Sequence, residues 1–355
     1  MTRLYIGSMT DFSGKSLLSI GIGLLLKNRG FTVGYIKPIG RDPVRVGNLI
    51  ADADAFVAKD ALELEESSRV ISPFMLDFDA TQHALSKKTE MLDAVVQSIK
   101  AVKGKDAVII EGMSTIFDGS MVYANGVQIV RAVDARALMI EGWKGDATIN
   151  LLLCAADIFG KYLAGAVINM VPAAEMAYVK KTVRPFLAKN RINMCGIVKK
   201  DEVLGSVTVR QLRDVLNGKV LCCEDMLDER VEQYLVGAMD VHSAMRYFRR
   251  TPNKAVITGG HRSDIQLAAL ETSTKCLILT GGLSANDIII SRAEALGVPV
   301  LSVSLDTFSA IDKIESILGK THIRGNAQIG KAFEVVETSI DFPLLAKAAG
   351  LKRPR

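Results

Sequence analysis

A short polar segment near the start of the chain contains the residue types needed to bind phosphate. It runs from Ser8 to Ser16, ends in Gly14-Lys15-Ser16, and lies between an apolar stretch and a run of helix formers. In a strand–loop–helix arrangement the loop amides and the helix N-terminus point at the anion, the lysine reaches the outer phosphates, and the hydroxyl can hold Mg²⁺. Met9 stands where the common form of this loop has its first glycine, so we predict a lengthened variant. An ordinary helix start is the alternative.

This loop supplies most of the residues that we expect to contact a nucleotide. Together they offer backbone amides, hydroxyl groups, one carboxylate and one ammonium group. They are Ser8, Thr10, Asp11, Ser13, Gly14, Lys15 and Ser16. The predicted cofactors are therefore ATP and Mg²⁺.

A second lysine lies where it could share this site. Lys37 comes directly after a predicted strand at residues 31–36 and is followed by proline. Open α/β sheets bind ligands at the carboxyl ends of their strands. We therefore predict that Lys37 faces the phosphates opposite Lys15, and that both lysines are catalytic candidates because they could neutralise a transferring phosphoryl group. A solvated surface lysine is the alternative.

Acidic residues at two other places could complete a magnesium site. Glu111 follows a predicted strand at residues 107–110, and Asp52 and Asp54 lie earlier in the chain. Mg²⁺ prefers one or two carboxylates together with waters and phosphate oxygens. We predict Ser16, Asp54 and Glu111 as the metal ligands, and leave open whether Asp52 takes the place of Asp54.

The composition indicates a soluble α/β protein. Of 355 residues, 49% are hydrophobic but only 6% are aromatic, so the core must be mainly aliphatic, as buried parallel strands require. Apolar strand candidates alternate with helical stretches, which predicts a mainly parallel sheet with helices on both faces. The apolar runs are too short to span a bilayer, and no secretory signal is evident. We expect a cytoplasmic protein without a membrane partner; the small net charge of +5 also predicts no nucleic-acid partner.

The order of the motifs resembles that in dethiobiotin-synthetase-like P-loop proteins. This group includes cobyrinic acid a,c-diamide synthases and the N-terminal domain of long phosphotransacetylases. A later segment resembles the signature of the DRTGG domain, with His261 where aspartate is usual. The motifs that carry the resemblance are Ser8 to Ser16, Lys37-Pro38, Asp52/Asp54, Glu111-Gly112, and residues 165–169, 255–264 and 277–282. The resemblance implies a P-loop NTPase-like α/β domain followed by a smaller α/β DRTGG domain, as in stand-alone proteins similar to the N-terminal part of phosphotransacetylases.

The resemblance also bears on the two halves of the site. It implies that Asn169 contacts adenine, although an asparagine followed closely by proline is also common in a strand-end turn. In dethiobiotin synthetases a small Ser-Gly element after the Lys-Pro pair helps to bind the substrate. Here the bulky, charged segment Gly40-Arg41-Asp42-Pro43 stands in that place. The nucleotide half of the site is thus retained and the substrate half is rebuilt, so we do not expect dethiobiotin synthesis.

We place the domains at residues 1–222 and 223–330, with residues 331–355 as a C-terminal extension. In the second domain, Thr-Gly-Gly sequences follow two strand candidates and could form a pocket for a small-molecule effector, or allow tight turns. Residues 228–236 are predicted to be helical. Since closed homo-oligomers are common, we expect a homodimer that is stabilised partly by this domain.

Two functions are compatible with the sequence. The first is a regulatory role in which the protein binds Mg-ATP and responds to it. The alternative is an ATP-dependent ligase that phosphorylates a carboxylate or a carbamate, as the dethiobiotin-synthetase-like relatives do.

Overall fold

Strands that are buried along their whole length form the centre of the first unit of the protein. In Ala107–Glu111 every residue is buried, as expected for a parallel strand covered on both faces. The computed structural model describes residues 1–46, 49–87, 89–201, 204–318 and 326–352. Within these ranges the chain forms two compact units: residues 1–201 with 326–352, and residues 204–318. No helix in the described ranges is both long and apolar enough to cross a bilayer.

The first unit contains a six-stranded sheet and two short strand pairs. Its strands are β1 Thr2–Gly7, β2 Val33–Ile36, β3 Ile39–Gly40, β4 Pro43–Val46, β5 Leu49–Asp52, β6 Phe74–Met75, β7 Ala107–Glu111, β8 Arg136–Gly142, β9 Leu163–Val171 and β10 Met194–Lys199. The two short pairs are β3 with β6 and β4 with β5. Its helices are α1 Lys15–Asn28, α2 Ala53–Ala61, α3 Ser68–Ile71, α4 Phe78–Ser86, α5 Leu92–Ala101, α6 Gly126–Ala132, α7 Asp146–Phe159, α8 Met176–Tyr178 and α9 Arg184–Lys189.

The second unit and the returning C-terminal segment follow. The strands of the second unit are β11 Val207–Thr208, β12 Lys219–Cys222, β13 Arg230–Val231, β14 Gln233–Val236, β15 Lys254–Gly259, β16 Thr274–Thr280 and β17 Val300–Ser302. Its helices are α10 Val209–Leu216, α11 Val241–Arg250, α12 Ser263–Leu270, α13 Asp287–Leu296 and α14 Thr307–Leu318. The C-terminal segment forms α15 Asn326–Ser339 and α16 Phe342–Ala349, which belong to the first unit.

The main sheet has the strand order β10-β9-β8-β1-β7-β2, and all neighbouring strands are parallel. Strand β1 therefore has β7 on one side and β8 on the other. Because parallel strands end at the same edge, the loop after β1 meets the carboxyl ends of β7 and β8. The predicted mainly parallel α/β fold, with helices on both faces, is confirmed.

The second sheet has the order β12-β17-β16-β15-β14; β14 to β17 are parallel, and β12 runs antiparallel to β17. This confirms the smaller α/β unit. The helix predicted over residues 228–236 is wrong, because this segment forms β13 and β14. Strand β14 pairs along β15, and its residues are only half-buried, so the segment has the charged, weakly patterned sequence of a sheet edge.

The C-terminal helices pack against the first unit rather than extend away from it. Ala332 and Val336 of α15 are buried and lie against α1 at Gly21. A Cβ atom on Gly21 would lie 2.9 Å from the Ala332 carbonyl oxygen, so this close helix crossing requires glycine. Residues 331–355, expected to be an extension, thus include helical surface that covers α1.

The compact units also differ from the predicted division after residue 222. Strand β12 pairs with β17 and so belongs to the sheet of the second unit. By contacts, the first unit ends at residue 201 and resumes in the C-terminal helices. Where the chain separates into independently folding domains stays a prediction.

Candidate functional site

The loop after β1 turns sharply into α1 at a glycine. Gly14 has φ +78°, a conformation that few residues other than glycine adopt, and it precedes the first helical residue, Lys15. A Cβ atom on Gly14 would lie only 2.3 Å from Nδ2 of Asn169. The amide end of α1 therefore opens towards the loop, as the predicted phosphate-binding arrangement requires.

Asn169 holds this loop from the neighbouring part of the sheet. It lies in β9, is 7% exposed, and donates from Nδ2 to the Ser13 carbonyl oxygen at 2.9 Å. Its Oδ1 accepts from the Met170 backbone amide at 2.9 Å. The side chain is thus committed to the loop and to its own turn. Its predicted contact with adenine stays a prediction.

Other loop hydroxyls point inward. Ser8 is fully buried, and its Oγ lies 2.7 Å from the Thr10 carbonyl oxygen and 3.0 Å from that of Ser114. Ser13 Oγ is buried without a hydrogen-bond partner among the described residues. Because a buried hydroxyl normally finds a partner, Ser13 has capacity for a ligand at this position. Asp11 is exposed on the loop, and its charge partly opposes the lowering of the Lys15 pKa that burial causes.

The predicted metal ligands meet beneath the loop. Ser16 Oγ lies 2.7 Å from Glu111 Oε1 and 2.9 Å from Asp54 Oδ2. One hydroxyl proton cannot serve both carboxylates, and the Lys37 ammonium lies 2.8 Å from the same Asp54 oxygen and 3.8 Å from the same Glu111 oxygen. The other oxygen of Glu111 accepts from the Tyr35 hydroxyl at 2.9 Å. The described residues contain no cluster of three or more His, Cys, Asp or Glu that could hold a metal by itself.

Lys37 contacts these carboxylates directly, whereas the ammonium of Lys15 bonds to a backbone carbonyl group of the loop after β7. Lys37 Nζ lies 2.7 Å from Asp52 Oδ1, 2.8 Å from Asp54 Oδ2 and 3.8 Å from Glu111 Oε1. Lys15 Nζ is only 3.3 Å from the Ser114 carbonyl oxygen. Lys37 is only 6% exposed, so it is not the solvated surface lysine that the sequence left open as an alternative.

The two lysines have opposite pKa shifts. Burial lowers the pKa of Lys15, and the neighbouring Lys37 lowers it further, against the opposing charge of Glu111. Burial alone would also lower the pKa of Lys37, but Asp54, Asp52 and Glu111 together outweigh it and raise that pKa. Lys37 is therefore held protonated with its charge balanced by three carboxylates, whereas burial disfavours the charged form of Lys15, which an anionic ligand would stabilise.

Asp52 and Asp54 have different roles. Asp52 is fully buried and caps α2, accepting from the Asp54 and Ala55 amides at 3.0 and 3.3 Å. Its second oxygen accepts from the Arg41 and Asp42 amides. With these four backbone amides and Lys37 bound, Asp52 has little capacity left for a metal. Asp54 also pairs with Lys37, at 2.8 Å, but it lies beside Ser16, another of the predicted ligands. Which of the two acids would face a metal stays a prediction.

Glu141 also contacts the loop, and its role there was not predicted from the sequence. This glutamate lies near the end of β8, is fully buried, and accepts hydrogen bonds from the Met9 amide and, at 2.9 Å, from Thr10 Oγ1. Burial raises its pKa, although both loop hydrogen bonds and Lys15 oppose that shift. A signal was present: Glu141-Gly142 ends an apolar strand just as Glu111-Gly112 does.

Comparison with known proteins supports the two types of domain that the sequence motifs indicate. An AAA domain family model matches residues 2–208, and a DRTGG domain model matches residues 211–317. The phosphate acetyltransferase of Pseudomonas aeruginosa is 24% identical over 96% of this chain and 51% of its own length. The ATP-dependent dethiobiotin synthetase of Caldicellulosiruptor saccharolyticus is 25% identical over 48% of this chain and 74% of its own.

Some of these relatives are matched over only part of their length. The chain spans about half the length of the phosphate acetyltransferases that it matches. One similar solved structure is the septum site-determining protein MinD of Pyrococcus horikoshii, complexed with Mg-ADP. The match covers 57% of this chain and 83% of the MinD chain, with 13% identity and a TM-score of 0.36. The resemblance seen in the motifs is confirmed: the chain belongs to the family of this AAA domain, of the dethiobiotin-synthetase-like P-loop type, and carries a DRTGG domain after it.

Proposed function

We propose that this protein binds a nucleotide with Mg²⁺ at the loop after β1 and has a regulatory role. The observation that carries the proposal is the convergence of Ser16, Asp54 and Glu111 at the N-terminus of α1, next to Lys15 as the first residue of that helix. A nucleotide would be held by the loop amides and Lys15, and Mg²⁺ by Ser16, Asp54 and Glu111. Two carboxylates and a hydroxyl match the partial ligand set that Mg²⁺ takes when phosphate oxygens and waters complete its shell.

The substrate side of the site favours regulation over ligation. Arg41 lies on the segment that replaces the Ser-Gly element of dethiobiotin synthetases, and its guanidinium is 3.7 Å from Asp118. The hairpin of β4 and β5 follows directly. Charged side chains thus occupy the part of the site where the dethiobiotin-synthetase-like resemblance implies an acid substrate.

A lysine substitution tests nucleotide binding. Lys15→Ala removes the ammonium group of the loop, and a charge-assisted phosphate contact is worth about 1.5–3 kcal/mol. Calorimetry with Mg-ATP should show affinity at least tenfold weaker than that of the wild-type protein. Lys27→Ala, which changes a lysine at the far end of the same helix, is the matched control and should bind normally. Equal affinity of Lys15→Ala and wild type would refute the site.

The ligase alternative is favoured by one observation, the retention of Lys37 beside Lys15. Two ammonium groups could neutralise charge on a transferred phosphoryl group. Sustained Mg²⁺-dependent ATP hydrolysis, stimulated by a carboxylate or carbamate acceptor, would favour the ligase. Nucleotide binding without sustained turnover would favour the regulatory role.

We also propose a homodimer, with a small-molecule effector at the DRTGG domain. A chain cut after Cys222 would be a poor test, because it removes α15 and α16 from the first unit and leaves β12 without β17. Light scattering of the full chain across a dilution series tests the dimer directly. A monomer at all concentrations would exclude it.

A further inference from the structure

Glu141 places a carboxylate at the strand end of the phosphate-binding loop. In the pairing of β8 with β1, Met139 lies opposite Gly7, so that Glu141 projects two residues farther along, beside Met9. Its two oxygens accept from the Met9 amide and the Thr10 hydroxyl. Two donors of the loop are therefore already occupied by an anionic side chain.

Glu141 lies at the end of the loop where the terminal phosphate of a bound triphosphate would be placed. At a loop of this kind the amides near the helix start hold the inner phosphates, and the lysine reaches the outer ones. Here Gly14 and Ser16 are at the helix end, whereas Met9 and Thr10 are at the strand end. Lys15 and Glu141 are close enough for the lysine charge to oppose the rise in the Glu141 pKa that burial causes. The terminal phosphate of a triphosphate would thus approach Glu141.

A terminal phosphate at that place meets two disadvantages. It is repelled by a carboxylate in a buried environment, where charges interact more strongly than in water. It also finds the Met9 amide and the Thr10 hydroxyl engaged, so it must displace Glu141 to use them. A diphosphate held at the helix end by Lys15 and Ser16 avoids both.

We infer that Glu141 is a specificity-determining residue that makes the loop bind nucleoside diphosphates in preference to triphosphates. The inference rests on the proposed nucleotide site and refines it. A site with this preference responds to the ratio of the two nucleotides, which is a form of regulation compatible with the rebuilt substrate side.

Calorimetry on the full chain with Mg-ADP and Mg-ATP tests the inference. The wild-type protein should bind ADP at least tenfold more tightly than ATP. Glu141→Gln keeps the size of the side chain but removes its charge; ATP affinity should rise at least tenfold while ADP affinity changes less than threefold. Glu141→Asp retains the charge and should retain the preference for ADP.

Glu175→Gln is the matched control, because Glu175 bonds to Trp143 outside the loop. Its nucleotide preference should equal that of the wild type. A wild-type protein that binds ATP as tightly as ADP overturns the inference but leaves the nucleotide site intact, and so does a Glu141→Gln variant with unchanged preference. Absence of binding of both nucleotides to wild type and variants overturns the site and the inference together.

Discussion

Removing the charge of Lys37 should destabilise the first unit strongly. Its ammonium lies within 2.7–3.8 Å of Asp52, Asp54 and Glu111, and the side chain is only 8% exposed. In Lys37→Met the three carboxylates would surround a neutral side chain. Loss of one partner of a buried ion pair costs about 3–5 kcal/mol, because it leaves the other charge uncompensated. We therefore expect a loss of about 3–5 kcal/mol in the free energy of unfolding.

A matched surface lysine provides the control. Lys27 Nζ lies 2.7 Å from Glu63, but the two side chains are 34% and 83% exposed. Exposed pairs contribute about 0–1 kcal/mol, so Lys27→Met should lose less than about 1 kcal/mol. Urea unfolding of both variants can be followed by fluorescence, because the only tryptophan, Trp143, lies in the first unit.

The pH dependence follows from the raised pKa of Lys37. A lysine whose folded pKa exceeds its unfolded pKa contributes its full stabilisation below the ordinary value of 10.5 and loses it as pH rises through the folded pKa. Deprotonation of Lys37 should thus not reduce the difference between wild type and Lys37→Met below the ordinary lysine pKa of 10.5. The difference should shrink towards acid as the carboxylates become protonated, and Glu111, whose pKa is raised by burial, contributes to this decrease. Equal losses in Lys37→Met and Lys27→Met would refute the reasoning.

Three further outcomes are expected. Lys254 is fully buried without an ion-pair partner among the described residues, and burial lowers its pKa to about 8. The unfolded chain therefore binds more protons than the folded chain between about pH 8 and 10.5, so the stability of the second unit should rise with pH in that window. Lys254→Met should remove this rise and increase the free energy of unfolding at pH 7 by about 1–3 kcal/mol, as measured by urea unfolding. Asp54→Asn should weaken Mg²⁺-dependent nucleotide binding in calorimetry, because Asp54 lies beside Ser16. Asp52→Asn should mainly lower the unfolding midpoint, because Asp52 is fully buried and caps α2. The opposite result would exchange their roles. Gly21→Ala should cost about 1–3 kcal/mol in urea unfolding, because its Cβ would press on the backbone of Ala332, and an unchanged midpoint would show that α15 can shift.

The sequence predicted those parts of the site that depend on local chain direction. The loop from Ser8 to Ser16 lies between a strand and a helix, and Lys37 and Glu111 each lie at a strand end, so one sheet edge must hold them all. The different surroundings of Asp52 and Asp54 could not be predicted. They depend on where α2 begins, since Asp52 caps this helix and Asp54 lies in its first turn beside Ser16.

The errors have a different physical origin. Residues 228–236 carry many charges and show no clear alternation, because they form half-buried strands, of which β14 is at the edge of the second sheet. Local helix propensity then gives the wrong answer, since pairing with β15 decides the structure. Likewise, nothing local indicates that α15 returns to cover α1, because the contact at Gly21 joins segments far apart in the chain.

The position of Glu141 could have been predicted from the sequence by the same argument that predicted the position of Glu111. Glu111-Gly112 and Glu141-Gly142 both end apolar strands, and the two strands are the neighbours of β1 on its two sides. A carboxylate at either strand end must therefore lie beside the loop. The register separates their roles: Glu111 is level with Ile6, below the loop, where its oxygen meets Ser16. Glu141 extends past the end of β1 and accepts hydrogen bonds from the loop itself, so in the proposed nucleotide site the same type of side chain would oppose a phosphate there, where Glu111 would hold the metal ion.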